Sequence, residues 1–187
     1  MRLRVGYIIN ETRALGPGLR FAIWTQGCRR RCYRCISPEL QSLEKGELID
    51  IAALSDNICS TDDISGITIS GGEPLLQAKA LKELLSLVLC RRPELNVILF
   101  TGYKLQDIKD AGGCGILDYI DLLIDGEYID ELNSSGIGLR GSSNQKFHFL
   151  TERLLPNIGE ITTGSCIREM HMIGDYEMLT IGIPHRR

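Results

Sequence analysis

The chain has 187 residues, of which 43% are hydrophobic and 24% charged, and its formal net charge is −3 at pH 7. These values are ordinary for a folded globular protein of one domain, and they exclude disorder, collagen and coiled coil as its main structure. No apolar stretch reaches the ~20 residues that a membrane span needs, and the N-terminal residues lack a signal-peptide pattern. We therefore expect a cytoplasmic protein with neither a membrane nor a nucleic acid as its partner.

Hydrophobic patterning predicts strands that alternate with helices over the first two thirds of the chain. Runs rich in apolar, aromatic and β-branched residues predict strands at 2–9, 20–26, 66–70, 96–100 and 119–124. Apolar residues at helical spacing predict helices at 50–60, 74–92 and 104–110. Alternating strands and helices favour a mainly parallel sheet, so the expected fold class is α/β. Further strands are expected at 146–150, 169–173 and 178–183, the last two joined by a Gly174-Asp175 turn as a C-terminal β-hairpin.

Polar or glycine-rich segments follow the predicted parallel strands. A cysteine loop follows the strand at 20–26, and residues 71–74 follow the next strand. Residues 101–103 and Asp125-Gly126 follow two more. Ligands of parallel sheets gather beyond the carboxyl ends of the strands, so we expect these segments to meet on one face of the molecule.

Cys28, Cys32 and Cys35 form the spacing C-x3-C-x2-C in a loop whose gaps hold arginines. Thiols this close together in a polar loop indicate a metal centre. A structural zinc site needs a fourth ligand, but no further Cys or His lies nearby in the sequence. A [4Fe–4S] cluster held by three thiolates would leave one iron open to bind a small molecule. The arginines are either a solvated basic face or a positive environment that stabilises an anionic centre.

The remaining cysteines, Cys59, Cys90, Cys114 and Cys166, are scattered along the chain. The total number of cysteines is odd and no secretion signal is evident, so a disulfide framework is not expected. We interpret the scattered cysteines as buried thiols that act as small hydrophobic side chains. This interpretation is strongest for Cys90, which lies on an apolar helix pattern, and weakest for Cys114, which lies in a glycine-rich segment.

A second motif, Gly71-Gly72-Glu73-Pro74, ends one predicted strand and opens the following helix. Proline suits the first turn of a helix, where its missing N–H costs nothing. Two glycines let the backbone approach a ligand closely enough to hold a polar group, and a plain tight turn is the alternative. The segment matches neither a P-loop nor the dinucleotide-binding fingerprint.

The cysteine loop, followed about 40 residues later by the strand-terminal Gly-Gly-Glu-Pro, resembles the radical S-adenosylmethionine superfamily. The resemblance implies that the three cysteines hold a [4Fe–4S] cluster whose open iron binds the amino and carboxylate groups of S-adenosylmethionine. It also implies that Gly71, Gly72, Glu73 and Pro74 line the site of the amino group. In this superfamily one electron from the cluster splits the sulfonium into methionine and a 5′-deoxyadenosyl radical, which takes a hydrogen atom from the substrate. The cofactors carry the chemistry, and the protein positions and shields them.

Further segments narrow the resemblance to the glycyl-radical-enzyme activases. Residues 16–21, which lead into Gln26-Gly27-Cys28, are similar to those activases. Segments 70–77, 119–128 and 139–145 are most similar to the activating proteins of anaerobic ribonucleoside-triphosphate reductase. The resemblance implies a compact partial (β/α) barrel of mainly parallel strands, open on one side so that a loop of a partner protein can reach the radical.

The resemblance also suggests roles outside the two motifs. Arg34 precedes the third cysteine and would lie against the adenine region, where the superfamily often has an aromatic or apolar residue. Asp125 would bind a ribose hydroxyl or steer the substrate, and an Asp-Gly turn is the alternative. Arg140 would pair with the methionine carboxylate, because a guanidinium fork suits a carboxylate, and a surface arginine is the alternative.

The expected function is an activase that cleaves S-adenosylmethionine reductively and takes a hydrogen atom from a glycine of a partner glycyl-radical enzyme. Anaerobic ribonucleotide reductase is the favoured partner, and a flavodoxin- or ferredoxin-type protein is the expected electron donor. One alternative is a radical enzyme that modifies a small molecule or a ribosomal peptide. Another is a non-catalytic iron–sulfur or zinc module, which would leave the glycine motif unexplained. One domain is expected over residues 1–187, with a core at about 5–150 and a C-terminal extension at about 151–187.

Overall fold

The computed structural model describes residues 1–110, 115–173 and 177–184. Its strands are β1 (Arg2–Thr12), β2 (Arg20–Thr25), β3 (Glu47–Asp50), β4 (Gly66–Gly71), β5 (Asn96–Thr101), β6 (Leu122–Asp125), β7 (Lys146–Phe149), β8 (Glu169–Ile173) and β9 (Glu177–Ile181). Its helices are α1 (Ile51–Ser60), α2 (Ala78–Arg91), α3 (Leu105–Asp110) and α4 (Ile158–Thr163). Short 3-10 turns lie at Pro38–Gln41, Pro74–Gln77, Leu117–Tyr119, Asp130–Leu132 and Leu155–Asn157.

Within these residues, strands β1 to β7 form one sheet in the order β3-β1-β2-β4-β5-β6-β7. The central strands β2, β4, β5 and β6 are parallel, and the outer strands pair antiparallel to their neighbours. The predicted α/β class with a mainly parallel central sheet is therefore confirmed. The described strands do not close into a barrel, since β3 and β7 are the two edges of the sheet.

Helices α1 and α2 cover one face of the sheet. Alternate residues of the parallel strands, such as Phe21 and Ile23 of β2, point into this layer and are fully buried with Leu81 of α2. Helix α1 begins where Asp50 accepts hydrogen bonds from the backbone N–H groups of Ala52 and Ala53. An aspartate in this position satisfies N–H groups that have no partner within the helix.

The C-terminal third of the chain covers the opposite face. Ile181 packs with Ala22 of β2, and Ile183 packs with Ile98 and Leu122 of β5 and β6. The segment after β9 therefore crosses the central strands. The predicted C-terminal hairpin is confirmed as the antiparallel pair β8–β9, whereas its expected Gly174-Asp175 turn lies outside the described residues.

A buried arginine joins the start of the parallel strands. Arg20 is fully buried, and its guanidinium donates to the Thr68 hydroxyl at 2.5 Å, the Ile67 carbonyl at 2.8 Å and the Asn96 side chain at 2.8 Å. Burial lowers the pKa of Arg20 to about 9. The hydrogen bonds satisfy a polar group that would otherwise be costly to bury.

Several element boundaries differ from the sequence-based expectation for local reasons. The helix expected at 74–92 is a 3-10 turn followed by α2, and the strand expected at 119–124 begins only at Leu122, after another 3-10 turn. Strand β3 and helix α4 were not predicted, because their short sequences show no clear periodicity. No helix in the described part of the chain is long and apolar enough to cross a membrane.

Candidate active site

The cysteine loop leaves β2 at the carboxyl end of the parallel strands. Cys28, Cys32 and Cys35 are free and partly buried, and all three line one cavity of about 380 Å³. The base of the loop is held by hydrogen bonds from Gly27 N to Leu40 O at 2.8 Å and from Cys28 N to Gln41 O at 3.1 Å. The three cysteines thus line a common cavity at the carboxyl ends of the parallel strands.

The surroundings of Cys28 and Cys32 disfavour the ionisation of these two thiols in the absence of a metal. Burial, together with the nearby Glu127 carboxylate, raises the pKa of Cys32 to about 11, and burial raises the pKa of Cys28. A thiolate is the form that binds metal, and a bound metal deprotonates its thiol. In the described residues no three Cys, His, Asp or Glu side chains converge closely enough for a single ion. A four-iron cluster is larger than one ion and holds its thiolates further apart.

The glycine motif is joined directly to the cysteine loop. Gly72 N donates to Thr25 O and Glu73 N donates to Gly27 O, both at 2.8 Å. Neither glycine has room for a side chain: a Cβ on Gly71 would lie 2.3 Å from the Thr25 backbone, and one on Gly72 would lie 2.4 Å from Gly27 O. Gly71 also has φ +124°, which other residues rarely adopt. The two motifs predicted from the sequence are therefore packed together as one unit.

Glu73 extends this unit to the next strand. Its side chain is almost fully buried and accepts hydrogen bonds from Thr101 Oγ1 and Gly102 N at 2.8 Å and from Leu75 N at 3.0 Å. Burial raises the pKa of Glu73, although these donors and the charge of Arg30 oppose that effect. Together with Gly71, Gly72 and Pro74, this residue lines the cavity.

Three other predicted residues are engaged elsewhere in this structure and do not line the cavity. Asp125 Oδ2 accepts from Leu105 N at 2.6 Å and lies 3.0 Å from His148 Nε2. Arg34 is exposed and lies 3.3 Å from Asp130. Arg140 Nη1 donates to the Gln145 carbonyl at 3.1 Å. Their proposed contacts with S-adenosylmethionine stay predictions.

Arg30 was not singled out from the sequence, yet it lines the cavity together with the cysteines. Its guanidinium lies over the Tyr103 ring at 5.0 Å and 3.6 Å from Glu127 Oε2. Its Nε is buried and has no hydrogen-bond partner among the residues that the structure describes. The sequence could not separate Arg30 from the adjacent Arg29 and Arg31, because only the folded loop turns one of the three inward.

The C-terminal extension supplies the opposite wall of the cavity, which the sequence also did not predict. Arg168 and residues 179–184 line it. The apolar side chains of Trp24 and Phe100 contribute from the sheet. The cavity thus lies between the motif-bearing loops and the end of the chain.

The scattered cysteines do not line the cavity where they are described. Cys59 is partly buried against the helical layer, and Cys166 donates to Gly138 O at 3.1 Å, with its pKa raised by burial. The prediction that Cys90 is buried is wrong, because its position on α2 faces outward and the residue is exposed. Cys114 lies outside the described residues.

Comparison with known proteins identifies the family. A family model described as a 4Fe-4S single cluster domain matches residues 14–148, a span that includes both motifs. Three curated relatives carry the name anaerobic ribonucleoside-triphosphate reductase-activating protein. The one from Vibrio cholerae serotype O1 is 34% identical over 145 residues, covering 73% of this chain and 91% of the relative. The one from Enterobacteria phage T4 is 33% identical over 135 residues (70% and 84%), and the one from Escherichia coli K12 is 31% identical over 142 residues (72% and 91%).

The chain belongs to the family of anaerobic ribonucleoside-triphosphate reductase-activating proteins. The resemblance inferred from the cysteine and glycine motifs is confirmed, and the 4Fe-4S family model supports an iron–sulfur cluster. Membership also supports a glycyl-radical reductase as the partner. The family model ends at residue 148, so the C-terminal wall of the cavity lies beyond it.

Proposed function

We propose that the chain is a radical S-adenosylmethionine activase that generates a glycyl radical on anaerobic ribonucleotide reductase. The observation that carries this proposal is the union of the three cysteines and the Gly-Gly-Glu-Pro motif in one cavity. Family membership supports the reductase as the partner.

The donor set of the cavity fits a [4Fe–4S] cluster. Cys28, Cys32 and Cys35 would hold three irons and leave the fourth open. The raised pKa values of Cys28 and Cys32 mean that cluster assembly must displace the protons of these two thiols. Arg30 brings a positive charge to the same cavity. Arg30 would thereby provide the positive environment that stabilises an anionic cluster.

The cavity also fits S-adenosylmethionine. The backbone at Gly71 and Gly72 is free of side chains and would hold the amino group, while the buried Glu73 keeps this backbone in place. Arg30, whose buried Nε has no acceptor in the described part of the chain, would bind the carboxylate. Trp24 and Phe100 offer apolar surface that excludes water.

Cys28, Cys32 and Cys35 would hold the cluster, which would supply the electron that reductively cleaves S-adenosylmethionine and so provides the chemistry for taking one hydrogen atom from the partner glycine. The chain's own residues position the reactants and shield them. We also propose that all described parts form one domain, since the segment after residue 150 packs on the same sheet.

A flavodoxin- or ferredoxin-type protein would deliver the electron. Cys28 borders a second pocket, lined also by Arg29 and Arg31, which are both exposed. An acidic donor docked there would approach the cluster without crossing the cavity. The electrostatic attraction between an acidic donor and these two arginines would weaken with added salt.

The test is to incubate the anaerobically reconstituted protein with reductant, S-adenosylmethionine and the reductase of the same organism. We expect 5′-deoxyadenosine and a glycyl radical signal in electron paramagnetic resonance, and neither with Cys32→Ala. If 5′-deoxyadenosine forms but the reductase gains no signal, the activase assignment is wrong, and a small-molecule or peptide substrate replaces it. If the intact cluster binds no S-adenosylmethionine, the chain is an electron-transfer module.

A further inference from the structure

The loop that precedes β7 binds the segment that follows β6. Asn144 Nδ2 donates a hydrogen bond to the Glu127 carbonyl at 2.8 Å. Gln145 Nε2 donates to the carbonyl of the residue before Glu127, which is Gly126, also at 2.8 Å. Two consecutive side-chain amides therefore hold two consecutive carbonyls, and Asn144 and Gln145 are here called the amide clamp.

The amide clamp has a defined position beside the cavity. Gln145 is buried and lines the cavity, and its Oε1 accepts from Gly141 N at 2.8 Å and from Ser142 N at 3.2 Å. Gly141 in turn lies against the cysteine loop, since a Cβ on it would be 2.8 Å from Ile36 Cδ1 and 3.1 Å from Tyr128 Cδ2. The side chain of Gln145 thus joins this closely packed loop to the end of β6.

The segment that the amide clamp holds contacts the cysteine loop. The Glu127 carboxylate lies 3.6 Å from Arg30 Nη2, and it accepts a hydrogen bond from the Cys32 thiol. Burial and Glu127 raise the pKa of Cys32, and the backbone N–H of Tyr128, which donates to the Cys32 sulfur, opposes them. Gly126, Tyr128 and Cys32 all line the cavity. The segment after β6 therefore supplies a backbone donor to one of the three cysteines.

The Glu127 carbonyl and the Tyr128 N–H belong to the same peptide group. A trans peptide group is planar, so its carbonyl and its N–H point in opposite directions. Because Asn144 binds the carbonyl on one side, it fixes the direction of the N–H that reaches Cys32 on the other. Gly126 has φ +110°, and the conformational freedom of a glycine here is limited by the bond from Gln145 to its carbonyl.

We propose that the amide clamp positions the Tyr128 N–H as a hydrogen-bond donor to the cluster ligand Cys32 and thereby raises the reduction potential of the cluster. Hydrogen bonds to the sulfurs are among the factors that set this potential. Such a bond stabilises the reduced cluster more than the oxidised one, because the added electron increases the negative charge on the sulfurs. The inference rests on the proposed function, since it requires a cluster held by Cys32. It makes Asn144 and Gln145 positioning residues that act through the backbone of Tyr128.

The test compares Asn144→Leu with the matched control Asn96→Leu. Asn144 Oδ1 is buried without a hydrogen-bond partner in the described part of the chain, so leucine there removes a donor and no satisfied acceptor. Asn96 binds the Arg20 guanidinium at the amino end of the parallel strands, so its loss weakens the fold far from the cysteines. Gln145→Met is a second clamp variant.

Three quantities are measured for each protein. Anaerobic spectroelectrochemistry gives the reduction potential of the reconstituted cluster, and iron analysis gives its occupancy. Nuclear magnetic resonance gives the hydrogen-exchange rate of the Tyr128 amide in the apoprotein. Urea unfolding of the apoprotein gives the loss of stability in the control.

We expect both clamp variants to keep the iron content of wild type and to show a more negative reduction potential. Their Tyr128 amide should exchange up to about tenfold faster, which is the scale of one lost hydrogen bond. Asn96→Leu should be less stable than wild type and keep the wild-type potential.

A wild-type potential in both clamp variants would overturn the inference. So would an equal shift of the potential in Asn96→Leu, because general loosening of the fold would then explain it. A wild-type protein whose cluster binds no S-adenosylmethionine would overturn the proposed function, whereas the potentials of the variants would still decide the role of the amide clamp. A wild-type protein that assembles no cluster would overturn both.

Discussion

Replacement of Gly72 by alanine should separate the two motifs that form the cavity. An added Cβ would lie 2.4 Å from Gly27 O and 2.7 Å from Leu40 O, whereas ordinary contacts begin at 3.4 Å. The cysteine loop must therefore move by about 1 Å, since both obstacles are backbone atoms that cannot rotate away. Two 2.8 Å hydrogen bonds, Gly27 N to Leu40 O and Glu73 N to Gly27 O, would be strained by that movement.

We expect Gly72→Ala to lower the free energy of unfolding by about 1–3 kcal/mol, as forced overpacking does. A displacement near 1 Å at a reactive site can cost about 10²-fold in rate, so the yield of 5′-deoxyadenosine should fall on that scale. Urea unfolding of the apoprotein measures the first quantity, and chromatography of the nucleoside product measures the second.

The matched control is Gly159→Ala in helix α4. A Cβ there meets no atom within 4 Å, and alanine stabilises a helix by up to about 1 kcal/mol relative to glycine. The control should keep full activity with equal or higher stability. The reasoning is refuted if Gly72→Ala resembles Gly159→Ala in both stability and nucleoside yield, because the close approach of the motifs would then be unimportant.

Three further predictions concern Arg30, the division of the cysteines and Glu169. Arg30→Ala should raise the Kd for S-adenosylmethionine about tenfold and change the Kd for its decarboxylated analogue little. Arg29→Ala should leave both dissociation constants unchanged. Calorimetry with the two ligands measures these values. Cys59→Ala should retain full iron content and activity while Cys32→Ala loses both, and a dead Cys59→Ala protein would show that our division of the cysteines is wrong. Partial burial acts to raise the pKa of Glu169, but hydrogen bonds from Thr12 Oγ1 and Arg13 N lower it below its ordinary value. The lowered pKa of Glu169 gives stability that is present above its ordinary pKa of 4.5 and is lost as the pH falls through the lower folded-state value. Glu169→Gln should therefore be less stable than wild type in urea at pH 7, and this difference should shrink below pH 4.5; a constant difference would contradict the role of the carboxylate.

The sequence predicted the features of the site that depend on strand direction. The cysteine loop and Gly72 each follow a parallel strand. Parallel strands bring their carboxyl ends to one edge of the sheet, and this holds regardless of which side chains the strands carry. Gly71 and Gly72 were expected to let the backbone approach a ligand, whereas in the structure a Cβ on either glycine would meet neighbouring protein backbone.

Outside the two motifs, the sequence did not show which side chains line the cavity. Arg140 and Asp125 have suitable chemistry, but folding gives Arg140 the Gln145 carbonyl and Asp125 the Leu105 N–H. Arg30 points into the cavity because of the backbone conformation of the cysteine loop. No periodic pattern in the sequence predicts that conformation. The C-terminal wall depends on contacts between residues far apart in the chain, such as Ile183 with Ile98.

The most direct test of the account traces the hydrogen atom that is removed from the glycine of the reductase. The reductase is labelled with deuterated glycine and incubated anaerobically with the reconstituted protein, reductant and S-adenosylmethionine. The account predicts one deuterium in the 5′-deoxyadenosine, detected by mass spectrometry, with one nucleoside formed per glycyl radical. Unlabelled 5′-deoxyadenosine alongside a full glycyl radical signal would contradict direct hydrogen transfer in this cavity.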